Sequence, residues 1–391
     1  MVKVAFVTPG DYPVPSPRGG SVERVVEKVV PLLVPSVDAR IFGRIGRRLR
    51  TRGLHRGVPC ERFPAKSKAR YWRAVTNRLR VYRPDVIQIE NRPLMVPVLK
   101  RRFPQAQVWL SLQSNTFLER PYMTPRSLPG CLESADRILV NSHFLKKYIA
   151  RRVPQAAEKT GVVHLGVEAN RFAGGLKELE KAERGWSGRR VVLFVGRLIP
   201  LKGVHLLLEA LPELVREAPD VLVAIVGSPF YGSPVTTSYV RKLHRMAKPW
   251  KRHVHFQPYV SHLEIPRWFA AADIAVVPSV RREAFGLVNV EAMASGLPVV
   301  ASRVGGVSEV VEDGVTGLLF DPANARSELG SRITRLLRDE ALRQQMGRNG
   351  MERVQRHFTW EHTADQWLEQ LRLATGRERA GTGPDRSEFL I

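Results

Sequence analysis

The sequence predicts an α/β fold built on two parallel sheets. Short, uniformly apolar runs such as residues 2–7 and 190–196 alternate with stretches of helical spacing, and little hairpin chemistry lies between them. Alternation of this kind indicates parallel strands joined by crossover helices, with both faces of the sheet covered. The chain has 391 residues, 43% hydrophobic and 25% charged, which is enough for two globular domains of ordinary size.

The first half opens with the strand at residues 2–7, followed by a loop that ends in Gly19 and Gly20. The residues after the glycines place valines at the spacing of an amphipathic helix. A glycine pair before a helix lets backbone N–H groups approach an anion closely, although a flexible turn would explain the pair equally well. Further strands are predicted at residues 84–90, 107–112 and 137–140.

Positive charge is concentrated in this half. The chain has 62 Lys and Arg against 37 Asp and Glu, a net charge of +25, and residues 40–102 hold nineteen of the basic side chains against three acids. Such a surface attracts anionic partners. Residues 66–83 predict a basic amphipathic helix. Its aromatic face, with Tyr71 and Trp72, would either lie on an anionic membrane or cover the sheet.

Several functional classes are disfavoured by composition. No run approaches the ~20 apolar residues of a membrane span, and the first ten residues lack a signal-peptide layout, so a cytoplasmic location is expected. Cys60 and Cys131 have neither metal-ligand nor redox spacing. Nucleic-acid binding would suit the net charge, but no recognised nucleic-acid module accompanies it, and this function is disfavoured.

The second half restarts the strand–helix alternation. The strand at residues 190–196 is followed by Arg197 and Lys202 at the opening of a helix. Two cations in this position are well placed to hold a diphosphate, Arg through forked hydrogen bonds and Lys as a point charge. Further strands are predicted at residues 221–227, 253–260, 272–279 and 297–301, and helix is predicted from residue 322 to about residue 375.

Two glutamates, Glu283 and Glu291, stand eight positions apart around a glycine-containing turn between a strand and a helix. Ligands of parallel sheets bind at the carboxyl ends of strands and at helix N-termini, so this acidic loop is a candidate site. Either glutamate alone would more often be a surface acid or a helix-start charge. Their separation across a turn suits contact with opposite ends of one ligand. Glu309 is expected to cap or orient the loop that follows.

Three segments of the second half carry a resemblance to a known family: GRLIPLKG, PYVSHLEIPRWFAAADIAVVPS and EAFGLVNVEAMASGLPVVASRVGGVSEVVEDGVTGLLFDP. They resemble the nucleotide-sugar-binding domain of retaining GT-B glycosyltransferases, the group of bacterial mannosyltransferases, lipopolysaccharide glycosyltransferases and glycogen synthases. The first half is similar with lower specificity, through the glycine pair, VNSHFLKKYI and HLGVEANRF. The segments PDVIQIENRP and SLQSNTF are most similar to spore-coat-associated glycosyltransferases.

The resemblance implies a GT-B architecture, in which two Rossmann-like parallel-sheet domains face each other across a cleft. Residues 1–172 are then an acceptor domain and residues 189–356 a nucleotide-sugar-binding domain, joined by a charged linker at residues 173–188. A helix at residues 357–375 is expected to return to the first domain. The tail at residues 376–391 is predicted to be disordered.

The resemblance also implies roles for single residues. Glu291 would accept hydrogen bonds from the ribose hydroxyls, and Glu283 would face the hydroxyls of the donor sugar. Arg197 and Lys202 would neutralise the diphosphate leaving group. The other donor-binding residues are Gly19 and Gly20 near the phosphates or the acceptor, Tyr259 and Val260 near the base, and Ala284, Phe285, Gly286 and Leu287 through their backbone N–H groups.

The reaction implied by the family is the retaining transfer of a sugar from a nucleotide-diphosphate sugar to a glycan, a lipid or a cell-envelope or spore-coat acceptor. No cofactor is expected, and no metal ion, since no DxD-type acidic pair is evident. An anionic acceptor or the inner face of the membrane would suit the basic region at residues 40–102. Location at that face or in the spore coat is therefore expected as an alternative to a free cytoplasmic enzyme.

Gln113 departs from the family pattern. Many relatives carry a histidine near the reacting carbon where SLQSNTF places this glutamine, and Gln88 and Glu90 occupy another strand end where histidines are common. Glutamine donates and accepts hydrogen bonds but does not exchange a proton near neutral pH. A catalytically degenerate protein that binds sugar nucleotide or glycan as a coat component is therefore the alternative hypothesis.

Overall fold

Two sheets, one in each half of the chain, organise the computed structural model, which describes residues 1–16, 20–230, 232 and 235–376. The strands of both sheets pair in parallel, as the strand–helix alternation predicts, except for one antiparallel pair at the edge of the first sheet. The predicted disordered tail lies outside the described residues, apart from Gly376, and so does Gly19.

The first sheet contains eight strands among the described residues, in the order β3-β4-β2-β1-β5-β6-β7-β8. Their bounds are β1 Val2–Val7, β2 Val37–Arg44, β3 Arg52–His55, β4 Val58–Phe63, β5 Val86–Glu90, β6 Gln107–Leu112, β7 Arg137–Val140 and β8 Thr160–Val162. The second contains six, in the order β11-β10-β9-β12-β13-β14. Their bounds are β9 Arg190–Val195, β10 Val221–Val226, β11 Val254–Gln257, β12 Ile274–Val277, β13 Val299–Ser302 and β14 Gly317–Phe320.

Helices cover the faces of both sheets. In the first half these are α1 Ser21–Leu33, α2 Lys68–Tyr82, α3 Val96–Arg102, α4 Leu128–Glu133, α5 His143–Arg152, α6 Ala169–Phe172 and α7 Lys177–Glu183. In the second they are α8 Val204–Glu209, α9 Leu211–Glu217, α10 Ser238–Ala247, α11 Ile265–Ala270, α12 Leu287–Ala294, α13 Val307–Val310, α14 Ala325–Arg338, α15 Glu340–His357 and α16 Trp360–Thr375. No helix in the described part of the chain is long and apolar enough to cross a membrane.

The aromatic face of α2 covers the first sheet. Tyr71 is fully buried, its hydroxyl donates to the carbonyl of Thr8 at 2.9 Å, and Trp72 and Leu79 are buried in the same cluster. Of the two alternatives for this face, cover for the sheet is the one observed, because its apolar side chains are buried against the strands. The arginines of the opposite face remain exposed.

The edge of the first sheet is a β-hairpin that the sequence pattern did not predict. Strands β3 and β4 pair antiparallel through a two-residue turn at Arg56 and Gly57, both with positive φ. Such turns match the twist of the strands they join. In this hairpin, arginines occupy positions where a typical strand would have alternating apolar residues, so the sequence pattern did not indicate a strand. Exposed charges on this outer strand also discourage pairing with another chain.

The final helix, α16, packs against the first sheet. Thr359 caps α16 by accepting a hydrogen bond from the N–H of His362. The indole of Trp367 packs against Phe6, with ring centroids 5.4 Å apart, and its Nε1 donates to Gln88 Oε1 at 2.7 Å. The end of the chain is thus fixed to the first strands of the fold, beside the carboxyl end of β5.

Candidate active site

The predicted site residues of the second half surround a topological switch point. Strand β9 lies between β10 and β12, so the chain leaves β9 in one direction and returns to its other side with β12. Arg197 follows β9, and Glu283 follows β12. Loops that diverge at such a point leave a crevice at the carboxyl ends of the strands, where ligands of α/β folds bind.

A cavity of about 270 Å³ occupies this crevice, and the two halves of the chain line it together. Arg197, Lys202 and Glu283 contribute from the second half, and Gln113 contributes from the first. The structure therefore brings together all four residues predicted to take part in catalysis. Residues 284–287 form part of the same wall.

Glu283 lies at the centre of this wall and already has two partners. Its Oε2 accepts hydrogen bonds from Lys202 Nζ and from Ser279 Oγ, the latter at 2.9 Å. Burial alone would raise the pKa of Glu283, but the Lys202 ammonium and the Ser279 hydroxyl hold it below its usual range. The carboxyl group is ionised at neutral pH and can only accept hydrogen bonds.

Glu291, the fifth residue of α12, is buried beside the same cavity. Its Oε1 lies 3.0 Å from His262 Nε2 and 3.5 Å from Arg24 Nη1. Burial acts to raise the pKa of Glu291, and His262 with the nearby arginines lowers it below the ordinary value. Arg171 Nη2 lies 3.2 Å from His262 Nδ1. Arg171 must donate there, so His262 is a neutral imidazole that donates to Glu291 through Nε2–H.

The acidic loop depends on glycine where it turns into α12. Gly286 is the N-terminal cap of this helix and has φ of 85°, a left-handed conformation that side chains disfavour. Ala284 and Phe285 are buried, and the Phe285 ring packs against Phe358 at 5.8 Å between centroids. The loop is therefore anchored by buried side chains beside the cavity.

A second cavity, of about 150 Å³, adjoins the first and shares part of its lining. Tyr259 and Val260, predicted to lie near the base, line it together with Gly20 and Glu291. The prediction that these residues surround one ligand is compatible with their positions. The role of Gly19 stays a prediction.

Gln113 is held by a polar network at the carboxyl ends of β5 and β6. Its backbone N–H donates to Asn91 Oδ1 at 2.8 Å, and its Nε2 donates to Ser111 Oγ at 3.2 Å. Glu90 is completely buried in this network, where burial raises its pKa to about 7 and Gln88 Nε2 donates to it at 2.6 Å. The strand-end positions expected to hold histidines thus form an amide and carboxyl cluster linked through Gln88 to α16.

Glu309 connects the two halves, which is more than the local loop role expected for it. Its carboxylate accepts the backbone N–H groups of His143 and Phe144, both at 2.7 Å, at the N-terminus of α5. His164 Nε2 lies 3.5 Å from the same carboxylate. His143, His164 and Glu309 are close enough together for a metal ion. Both carboxylate oxygens already accept N–H groups, however, and capping explains the geometry without a metal.

Arg24 and His262 were not singled out from the sequence, although both contact Glu291. His262 stands inside the segment PYVSHLE and could have been noted for its position between the predicted base contacts and α11. Arg24 gave no such signal, because only the folded structure shows which residues of α1 face the second half.

The two sheets meet at their carboxyl ends, with cations and carboxylates at a switch point, which is where α/β proteins with Rossmann-like units bind their ligands. The family model described as glycosyl transferases group 1 matches residues 177–353. Spore coat protein SA of Bacillus subtilis (strain 168) is 32% identical over 380 residues, covering 94% of this chain and 98% of that protein.

Solved structures agree with this match. Sucrose-phosphate synthase from Thermosynechococcus elongatus has a TM-score of 0.80 at 25% identity, over 96% of this chain and 100% of that chain. HepE from Anabaena, in complex with UDP-glucose, has a TM-score of 0.77 at 23% identity, over 95% of this chain and 100% of that chain. The chain belongs to the group 1 glycosyltransferases and has the GT-B fold, which confirms the family and the enzyme class predicted from the sequence.

Proposed function

We propose that this glycosyltransferase moves a sugar from a nucleotide-diphosphate sugar to an acceptor with retention at the anomeric carbon and without a metal ion. The proposal depends mainly on one observation. Arg197, Lys202, Glu283 and Glu291 line two adjoining cavities at the switch point of the second sheet, with Gln113 facing them from the first half. Their chemistry matches the successive parts of such a donor.

Each group has a task in the proposed reaction. Glu291 accepts the ribose hydroxyls, and Glu283 accepts hydroxyls of the sugar. The bond from the anomeric carbon to the phosphate oxygen breaks, and Arg197 and Lys202 stabilise the charge that develops on the diphosphate. The acceptor oxygen bonds to the anomeric carbon from the same face, and its proton passes to the leaving phosphate. A side-chain base is then unnecessary, which is compatible with glutamine at position 113.

The acceptor is proposed to be an anionic glycan, lipid or polymer of the cell envelope or spore coat. The segment between β2 and β3 exposes Arg47, Arg48 and Arg50, and the first residue of β3, Arg52, is also exposed. All four belong to the basic region at residues 40–102. An anionic acceptor or the surface of an anionic membrane would be attracted to them. The name of the Bacillus subtilis relative supports a coat or envelope acceptor for this chain.

Nucleotide binding tests the proposal directly. The protein is titrated by calorimetry with UDP, ADP and GDP, and at least one is expected to bind. If none of the three nucleoside diphosphates binds detectably, the proposed function is wrong. Transfer products from the matching nucleotide sugar would then report the configuration of the new bond, and activity in a chelator would report metal independence.

Replacing Glu291 by alanine is expected to weaken nucleoside diphosphate binding by roughly 10- to 100-fold, because a charged acceptor of hydroxyl hydrogen bonds is lost. The variant should remain folded, since Glu291 lines the cavities and is not a member of the hydrophobic core cluster beside it. Calorimetry measures the affinity, and thermal unfolding checks the fold. Glu352→Ala, at an exposed position of α15, is the control, and an unaltered affinity in Glu291→Ala would remove the role assigned to Glu291.

A second hypothesis, sugar-nucleotide or glycan binding with degenerate catalysis, is favoured by the glutamine at position 113. Donor hydrolysis and transfer by the wild type and by Gln113→His distinguish the two hypotheses. We expect the wild type to be active and the variant to differ from it by less than about tenfold, since general acid–base catalysis supplies roughly 10²–10⁴-fold where it operates. A silent wild type that gains activity through Gln113→His would instead support degeneracy.

A further inference from the structure

The two cavities of the site meet at a small set of shared residues. Val195, Gly196, Arg197, Val288 and Glu291 line both cavities from the second half. Within the described residues, Arg24 of α1 is the one shared contribution of the first half. A ligand that fills both cavities must pass this junction, so Arg24 lies beside the middle of the ligand.

The guanidinium of Arg24 is incompletely paired. Its side chain is 24% exposed, but the Nη1 atom is buried and has no hydrogen-bond partner among the described residues. The nearest opposite charge is Glu291 Oε1 at 3.5 Å, an ion-pair distance that is longer than a good hydrogen bond. Buried donors without partners are uncommon in folded proteins, and they often mark places where a ligand completes the structure.

The proposed donor indicates which ligand group would complete the pairing of the Arg24 guanidinium. If the base lies beside Tyr259 and the sugar beside Glu283, the ribose and the diphosphate lie between them, at the junction. The ribose hydroxyls compete with Arg24 for Glu291, because a carboxylate has a limited number of acceptor positions. A diphosphate at the junction offers Arg24 a stronger and forked partner in exchange.

We propose that Arg24 is a third cation for the donor diphosphate, supplied by the first half of the chain to a site otherwise built by the second. This inference rests on the proposed function. It adds that donor binding is coupled to the position of the first half of the chain opposite the second. Arg24 contacts the diphosphate only when α1 stands opposite the acidic loop.

Lys28 provides a matched control. It lies one turn after Arg24 on the same helix, and its Nζ pairs with Glu168 Oε1 at 2.7 Å. Lys28 does not line either of the two adjoining cavities. Lys28→Gln removes the same formal charge from α1 as Arg24→Gln, so a difference between the two variants reports the specific position of Arg24.

The experiment compares Arg24→Gln, Lys28→Gln and the wild type by calorimetry, with the best-binding nucleoside diphosphate of UDP, ADP and GDP and with its parent nucleoside. Arg24→Gln is expected to weaken the diphosphate by about tenfold or more and to leave the nucleoside within about twofold. Lys28→Gln is expected to leave both affinities within about twofold. Thermal unfolding confirms that each variant is folded.

Each other outcome contradicts a particular statement. If the wild type binds no nucleoside diphosphate, the proposed function fails, and this inference fails with it. If the wild type binds and Arg24→Gln binds equally well, only the role of Arg24 is wrong. Equal weakening of nucleoside and diphosphate would show that Arg24 acts by positioning Glu291, which also contradicts a phosphate contact.

Discussion

Replacement of Lys202 by glutamine is expected to lower the rate of sugar transfer by about 10²–10³-fold, the range seen when one preorganised group that stabilises transition-state charge is removed. The ammonium of Lys202 lies in the cavity where the diphosphate is proposed to leave. Initial rates at saturating donor measure the effect. The same substitution at Lys251, which is exposed on the second half, is the control and should leave the rate unchanged.

The pairing of Lys202 with Glu283 requires a second background for this test. Loss of the ammonium would also raise the pKa of Glu283, because its main opposing charge disappears while its burial remains. Lys202→Gln is therefore repeated in Glu283→Gln. A contact with the diphosphate predicts a large rate loss in both backgrounds. A loss confined to the protein with Glu283 intact would show that Lys202 acts only through that carboxylate.

The pairing of Lys202 with Glu283 also bears on the charge state of the acidic loop. The two glutamates each have partners that favour the ionised form. Glu283 is paired with the Lys202 ammonium, and Glu291 with the Arg24 guanidinium and the N–H of the neutral His262 imidazole. Buried carboxylates without such partners would take up protons. The cations thus keep both acceptors ionised, and a donor that brings its own hydroxyls and phosphates can exchange partners with them.

Strand positions could be predicted where burial on both faces makes a run uniformly apolar. β1, β6 and β7 have the bounds expected from the sequence. β3 was missed, because an edge strand with the sequence RGLH has three exposed residues and needs no apolar pattern. The aromatic face of α2 shows a different limit, since periodicity alone does not distinguish cover for a sheet from contact with a membrane.

The residues of the candidate site also divide into those that the sequence predicted and those that only the structure shows. Arg197, Lys202, Glu283 and Glu291 belong to continuous segments whose order along the chain could be read directly. Of the partners of Glu291, Arg24 comes from α1 in the first half, and His262 stands in the second of the three segments, just before α11. Their contacts exist only because these parts of the chain approach α12 in space. Local pattern therefore located the groups that would bind a donor, whereas the groups that hold them required the structure.

Gly203→Ala is expected to lower the free energy of unfolding by about 2–5 kcal/mol. This range combines about 1–2 kcal/mol for a left-handed backbone with about 1–3 kcal/mol for overpacking. Gly203 has φ of 70°, and a Cβ atom there would stand 1.8 Å from the carbonyl oxygen of Pro278. That contact joins the backbone of the Lys202 loop to the backbone before the acidic loop, so neither side can move as a flexible side chain would.

Gly188→Ala separates the backbone contribution from the overpacking contribution. Gly188 has nearly the same φ, 71°, but a Cβ atom there would meet nothing within 4 Å. This control should lose only the backbone part, about 1–2 kcal/mol, as measured by chemical unfolding of both variants. Equal losses would show that the approach of the two loops is not tight.

The close approach at Gly203 also has a functional consequence. The N–H of Val280 donates to the carbonyl of Leu201 at 2.9 Å, beside the contact with Pro278. The loops that carry Lys202 and Glu283 are therefore fixed to each other through their backbones as well as through their side chains. Gly203→Ala should weaken nucleoside diphosphate binding even in the fraction that remains folded, whereas Gly188→Ala should not. This difference would show that the glycine holds cation and carboxylate at the spacing that the donor requires.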